Sequence, residues 1–289
     1  MLNLVHLKVL AAVARHGSVT EAARELHYSQ PSVSHHLSRL EAATGAQLVQ
    51  RIGRGIRLTP EGRLLAHRAA EIVGRVDAAA TELAAQVGLR AGLVRLAANA
   101  STLATLVPRA AAVLAVAHPG LQLSLVDEHP VEALRMLRHG EIDVAVVFSH
   151  DGGPVEEGFR LRHLGDDPIH LVSRDAGDRL ENHRESGWIG GCARCREELG
   201  AVCARAGFVP RIASLSDDMV VVQSLVAAGA GVAILPGLAL EAHRRHDVHA
   251  TDTGFRRRVH AATYGEPPDP PAVAAVVAAL AEVASDVLA

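Results

Sequence analysis

From residue 4 onward the apolar positions fall at helical spacing. Leu4, Leu7, Val9, Leu10, Ala11 and Ala14 form one stripe that stops before Gly17. Ser18 and Glu21 then stand at the separation of a capping box, and Ala22, Ala23 and Leu26 make a small-residue inner stripe behind it. His27-Tyr28 supplies a turn. Ser29 is placed to cap a further helix, and Pro31 falls in its first turn, where a missing N–H costs little. Val33, Leu37 and Leu40 point inward along that helix. Two short β-type pieces follow between Gln47 and Leu58, around Gly53-Arg54-Gly55, and read as a hairpin wing. Thr59 can cap a helix from Pro60 to about Val87, on which Leu65, Ala69, Ile72, Val76, Ala79, Leu83 and Val87 recur in steps of mostly four and three. Such a helix spans roughly 40 Å. Its stripe suits a coiled-coil partner, and Arg68, Glu71, Arg75, Asp77 and Glu82 point outward; a helix packed on its own domain is the other reading.

Beyond Gly88 and Gly92 the pattern changes to alternating strands and helices. Leu93–Ala97, Leu121–Val126 and Ile142–Phe148 read as strands, separated by helices over Thr102 to about Ala117 and Val131–His139. This βαβαβ order predicts a parallel sheet with right-handed crossovers. A second set follows: strand Ile169–Ser173, strand Trp188-Ile189, a helix over about 194–206 and strand Arg211–Leu215. A helix over Asp218–Ala228 and strand Val232–Leu235 complete it. The chain recrosses near Val259–Tyr264 and ends in an alanine-rich helix from Ala272. Two α/β lobes joined by crossing strands are expected.

The outer face of the helix after Ser29 carries Gln30, Ser32, Ser34, His35 and Ser38, short groups suited to base edges in a major groove. An ordinary helical hairpin facing water would carry the same pattern. The flanking sequence favours the first, since the apolar helix before Gly17 can cover the two-helix unit and a wing follows it, and charge agrees. Residues 1–68 hold 9 Lys/Arg against 4 Asp/Glu, a net of +5, and the remaining 221 hold 20 against 28, a net of −8. A basic head on an acidic body fits DNA held at one end, with Arg51, Arg54 and Arg57 of the wing available for phosphate or a minor groove. A surplus of +5 is modest, which argues for two heads acting together.

At this density of features the chain resembles the LysR-type family of bacterial transcriptional regulators. The matching residues are Gly17-Ser18, Ala22-Ala23, Leu26, Ser29-Gln30-Pro31, Val33-Ser34, Arg39-Leu40-Glu41, Gly45, Leu48, Arg51 and Leu58-Thr59-Pro60-Glu61-Gly62. The family usually has Phe where Val49 stands, so the wing is expected to pack more loosely. It often has Arg at the position of His35, so that base contact is expected to differ. The resemblance implies an N-terminal all-α winged helix-turn-helix (1–59), a linker or dimerisation helix (60–88), and a C-terminal α/β two-lobed effector-binding domain similar to periplasmic binding proteins (89–289). Lobe I would take about 89–163 and 265–289, and lobe II about 164–264. For the body the resemblance rests on element order and on Leu106-Val107-Pro108, Gly140 to Ala145 and Val226 to Pro236.

The resemblance also implies a homodimer or homotetramer on double-stranded promoter DNA of dyad symmetry, a small-molecule effector, closure that re-angles the heads, and RNA polymerase as a further partner. Ser29, Gln30, Pro31, Ser32, Ser34, His35 and Ser38 with the three wing arginines are the candidate DNA contacts. Ligands in open α/β sheets settle at the carboxyl ends of strands. That rule nominates Ser101, Thr102, Phe148 and Ser149 in the first lobe. In the second it nominates Gly190, Gly191, Cys192, Arg194, Asp217 and Met219. Helix capping is an equal reading of Ser101 and Thr102. Arg194 is the candidate to clamp a carboxylate, which favours an anionic effector, though a solvated helix charge explains it as well.

Cys192, Cys195 and Cys203 read first as small core residues, second as a thiol redox switch in a regulator of the same architecture, and third as a metal site. No histidine stands at zinc-finger spacing from the pair, so no metal or cofactor is expected. An enzyme is the competing class, but there is no Gly-x-Ser-x-Gly, no Walker-type phosphate loop, no His-Glu-x-x-His and no dinucleotide fingerprint after the strand at Leu93. A stand-alone solute-binding protein would explain two lobes but not residues 1–65. The N-terminal apolar stretch carries His6, Lys8 and Arg15 without a cleavage site, and no uninterrupted apolar run reaches about 20 residues, so a cytoplasmic protein with no membrane partner is expected.

Overall fold

The computed structural model describes residues 2–52, 55–86, 92–149 and 158–288. They form two compact units, residues 1–91 with 135–142, and residues 92–134 with 143–289.

In the first unit, α1 (Leu4–His16), α2 (Val19–Glu25) and α3 (Gln30–Thr44) pack through Leu7, Leu10, Val13, Ala22, Val33, Leu37 and Leu40, all buried. Each start is capped from the side chain. Asn3 accepts from the Val5 N–H, Ser18 from Glu21 and Ser29 from Ser32. The expected capping box is half made, because the Glu21 carboxylate accepts from Arg24 at 2.7 Å. His27, at φ 55°, takes the left-handed conformation that reverses the chain between α2 and α3.

The wing is β1 (Val49–Ile52) paired antiparallel with β2 (Gly55–Leu58), Val49 opposite Leu58. Glu41 ties its base to α3, its Oε1 accepting from the Leu48 and Val49 N–H groups at 2.8 and 3.2 Å. Val49 is half-buried against the head core together with Ile56 and Leu58. The smaller side chain therefore keeps its inward place.

α4 (Pro60–Gln86) starts as expected, with Thr59 Oγ1 accepting from the Gly62 N–H at 2.9 Å and donating to Gln47 O at 2.7 Å. Gly62 is obligatory here. A Cβ on it would lie 1.9 Å from the Leu48 carbonyl oxygen. The apolar stripe divides. Leu65 and Ala69, expected in a coiled-coil seam, instead join Ala66 and Val73 in the head core, because the first turns of α4 lie against α1. Ile72, Val76, Ala79 and Leu83 stay exposed. Val87 and Gly88 lie outside the described residues, as do the side chain of Glu82 and the whole of Arg54.

The second unit is built on one six-stranded mixed sheet, whose strands lie in the order 122–127, 93–98, 144–149, 249–264, 159–173 and 233–236. β3 (Leu93–Ala98) pairs parallel with both β4 (Gln122–Asp127) and β5 (Val144–Ser149), as the βαβαβ pattern predicts. The helix expected from Thr102 is two pieces, α5 (Ala100–Leu103) and α6 (Leu106–Ala117), separated at Ala104-Thr105. Together they form an 18-residue apolar stretch, the sole one of membrane-crossing length among the described helices, and its inner face is core. Leu106, Val107, Ala110 and Leu114 pack against the terminal helix α11 (Pro271–Val287). α7 (Pro130–Arg138) lies between β4 and β5 in sequence.

The crossing strands are far longer than their apolar ends suggested. β6 runs Phe159–Ser173 and β10 runs His249–Tyr264, paired antiparallel over most of their length with two irregularities. Polar residues in their outer halves hid them from the pattern. Beyond them, β7 (Gly187–Gly190) and β8 (Arg211–Leu215) form a parallel pair, flanked by α8 (Ala193–Arg205) and α9 (Met219–Ala227). β9 (Ala233–Pro236) runs on into a short α10 (Gly237–Ala242) that the sequence reading lacked. Trp188 is the centre of this lobe, fully buried among Leu171, Leu199, Cys203 and Phe208.

Candidate functional site

α3 presents two faces. Inward, Val33, Leu37 and Leu40 are buried; outward, Gln30, Pro31, His35 and Ser38 are exposed and Ser34 is half-exposed. Ser32 is half-buried, and its backbone N–H is held by Ser29. Ser38 spends its hydroxyl proton on the Ser34 carbonyl at 3.1 Å, leaving lone pairs for an outside donor. Arg39, exposed beside Ser38, extends this face with a charge that the sequence reading did not include. His35 belongs to a ring cluster with His36, His6 and Tyr28, at centroid separations of 5.2 to 6.1 Å. His6 is shifted below its ordinary value by burial and by neighbouring His36, Arg39 and His35. On the wing Arg57 is exposed on β2, whereas for Arg51 only its backbone position on β1 is described.

The second unit holds a cavity of about 200 Å³. Its walls are the carboxyl ends of the strands and the turns that leave them. Asn99 and Ser101 follow β3, Asp127 ends β4, Phe148 comes from β5, Gly190 and Gly191 from β7, and Ser216 and Asp217 follow β8. Strand ends in a parallel arrangement cannot be covered by their own crossovers, so a crevice forms there. Ile189, Leu199, Met219, Val222 and Leu235 make the remainder mostly apolar.

Its central group is Arg257, on the inward phase of β10 and directly opposite Asp167 of β6. Both are buried, at 4% and 0% exposure. Arg257 donates from Nε at 2.8 Å to Asp167 Oδ2, reaches Ser101 Oγ at 3.0 Å, and lies 4.4 Å over the Phe148 ring. The other Asp167 oxygen accepts from the Leu238 N–H at 3.0 Å, in the first turn of α10. Asn99 donates to Ser101 at 2.8 Å and accepts from the Thr102 hydroxyl at 2.8 Å. Ser101 and Thr102 are thus network members inside α5, not its caps. Glu198, on the α8 wall, is pushed up to about 7 by burial, which the nearby Arg257 charge only partly offsets.

Of the candidate effector residues, Ser101, Phe148, Gly191, Asp217 and Met219 line the cavity, as does Gly190. Thr102, Ser149, Cys192 and Arg194 are not among the lining residues. Arg194 is exposed on α8, because the turn that starts at Cys192 directs Cys195 and Glu198 inward and Arg194 outward. Arg257 was missed although a signal existed. In Arg256-Arg257-Arg258-Val259, strand alternation from the apolar Val259 places the middle arginine inside. Burial, with Cys192 beside it, pushes the Cys195 thiol up to about 12, and burial alone does the same for Cys203. Neither is a thiolate at neutral pH, so the thiol-switch reading gains no support from them. Cys203 is a core residue beside Trp188.

A polar helix beside a wing, followed by an α/β body with a cavity at its strand ends, defines a helix-turn-helix regulator with a ligand-binding domain. Comparison with known proteins gives the same class. Residues 4–63 match the family model "Bacterial regulatory helix-turn-helix protein, lysR family" and residues 88–285 match "LysR substrate binding domain". The chain belongs to the LysR family: it is a DNA-binding transcriptional regulator with an effector-binding domain, and not an enzyme. It is 28% identical over 247 residues to the uncharacterized HTH-type transcriptional regulator YfeR of Shigella flexneri, covering 82% of this chain and 79% of that one. A full-length OxyR variant from Pseudomonas aeruginosa has a similar fold, with TM-score 0.71, 20% identity, and coverage of 97% of this chain and 95% of the other. Full-length CbnR complexed with its target DNA is similar at TM-score 0.67 and 23% identity, covering 98% and 100%.

Proposed function

We propose that the chain acts in the bacterial cytoplasm as a homodimer or homotetramer on dyad-symmetric promoter DNA, where an effector in the strand-end cavity sets transcription and RNA polymerase is the downstream contact. Residues 1–59 serve as the DNA-binding head, 60–88 as the dimerisation helix and 89–289 as the effector domain. The observation that carries this reading is the outward row on α3. Gln30, Ser34 and His35 stand above a face fixed by Val33, Leu37 and Leu40. In the major groove these side chains read base edges, with Ser29, Pro31, Ser32 and Ser38 fitting the backbone nearby, while Arg57 and the wing arginines Arg51 and Arg54 hold phosphate. The exposed Ile72, Val76, Ala79 and Leu83 on α4 support pairing with a second copy.

For the effector, Arg194 no longer argues for an anion. Arg257, which reaches the cavity, already answers Asp167, and Asp127 and Asp217 line the same space beside the partly protonated Glu198. The effector is therefore a compact, largely apolar molecule whose polar end is neutral or cationic, held by Asn99, Ser101 and Ser216.

The test is DNA binding by fluorescence anisotropy, on a duplex selected from random sequence and on a scrambled control, over a range of salt. Gln30→Ala lowers the ratio of the two affinities. Arg57→Ala weakens both about equally and reduces the salt slope by about 0.9. Equal proportional losses for both variants on both duplexes would overturn the division of roles.

A further inference from the structure

The first turn of α8 gathers more donor chemistry than either the DNA face or the effector cavity uses. Cys192 is the N-cap and Cys195 lies one turn on, with their sulfurs 2.8 Å apart and the Cys195 N–H directed at Cys192 Sγ at 3.3 Å. Asp217 arrives from the β8–α9 connection, and one oxygen of it and the two sulfurs all lie within 4.8 Å of one another. The approach is built into the backbone. Gly191 leaves no room for a side chain, since a Cβ there would lie 2.9 Å from Asp217 Oδ1 and 3.0 Å from Cys195 Cβ. The Asp217 carboxylate, on an exposed residue, is thus held close over the cysteine turn.

From this juxtaposition we infer that Cys192, Cys195 and Asp217 bind one thiophilic divalent cation of the zinc class. Tetrahedral zinc takes sulfur at about 2.3 Å and carboxylate oxygen at about 2.0–2.2 Å, so its donors sit roughly 3.5–3.8 Å apart. The sulfurs must open by about an ångström and the carboxylate must close by a similar distance to reach that spacing, and water takes the fourth position. Two sulfurs select against magnesium and calcium. The balance is simple. Two S–H bonds break, two metal–sulfur bonds form, and both protons go to buffer. The Cys195 N–H is directed at Cys192 Sγ, and the cation's own charge offsets the cost of ionising the two thiols. Cys195 and Asp217 also line the cavity, so the ion would occupy part of its wall.

The test uses the full-length protein, reduced and stripped with a chelator under anaerobic conditions, then titrated with Cd²⁺ and followed by thiolate-to-metal charge transfer in the ultraviolet. Saturation at one ion per protomer is expected, with displacement by Zn²⁺. Cys192→Ser and Cys195→Ser each abolish the band. Asp217→Asn, which leaves both sulfurs in place, weakens affinity on the order of tenfold or more. Cys203→Ser changes nothing, and circular dichroism checks that each variant is folded. A band that survives the double serine variant, an unchanged affinity in Asp217→Asn, or a reduced protein that takes up no Cd²⁺ and instead closes a Cys192–Cys195 disulfide in air would each overturn the inference.

Discussion

Replacing Arg257 with methionine keeps much of the side-chain volume and removes the charge that answers Asp167. At 0% exposure, the carboxylate would keep one backbone donor, the Leu238 N–H, and lose its two guanidinium contacts. Removing one member of a buried pair costs about 3–5 kcal/mol, since the remaining charge stays desolvated. The lost stacking on Phe148 adds roughly 0.5–2 kcal/mol. A total near 5 kcal/mol is comparable with the whole stability of many domains, which run about 5–15 kcal/mol. The assay is urea unfolding followed by fluorescence of Trp188, the only tryptophan of the chain and fully buried in the same unit. The decisive comparison is the double variant Arg257→Met/Asp167→Asn. Asparagine keeps an acceptor for Leu238 without the charge, so the double variant should recover most of the loss. A single variant within about 1 kcal/mol of the parent, or a double variant no better than the single, would refute the claim that an unanswered charge sets the cost.

The legibility of this chain follows how local each feature is. α1 to α4 and the wing are written in caps, turns and inward stripes, all set by residues within a few positions of one another, and their boundaries agree closely with the pattern. The cavity is written differently. Arg257 meets Asp167 and Ser101 across 90 and 156 residues, a pairing that strand register decides and no motif announces. Register also explains β6 and β10. Their polar halves, about 159–163 of β6 and 249–256 of β10, pair on one side only and form sheet edges, so hydrophobic alternation marks only the halves that lie between two strands. Of the residues the strand-end rule nominates, Ser101, Phe148, Gly191, Asp217 and Met219 lie at the cavity, since the rule depends on topology alone. Arg194 does not, because helical phase within one turn decides which side chain faces in. On α4 the same stripe enters the head's own core over the first turns and is exposed further on. Periodicity cannot tell where one gives way to the other.

Gly62→Ala should destabilise the head severely, because a methyl 1.9 Å from the Leu48 carbonyl forces α4 away from β1; circular dichroism melts would show it, and a melting temperature equal to the parent's would contradict the contact. Glu198 gives a pH signature. Its folded value, about 7, lies above its ordinary 4.5, so its stabilising protonation is complete below about 4.5 and is lost as pH rises through about 7. A shift of that size amounts to about 3 kcal/mol, an upper bound because the cavity wall admits water. Glu198→Gln should therefore match the parent near about pH 4 and exceed it in stability near about pH 8, again read from Trp188. Parallel pH profiles for the two proteins would mean that the carboxyl is solvated at neutral pH, and that the cavity carries one more negative charge than its burial implies.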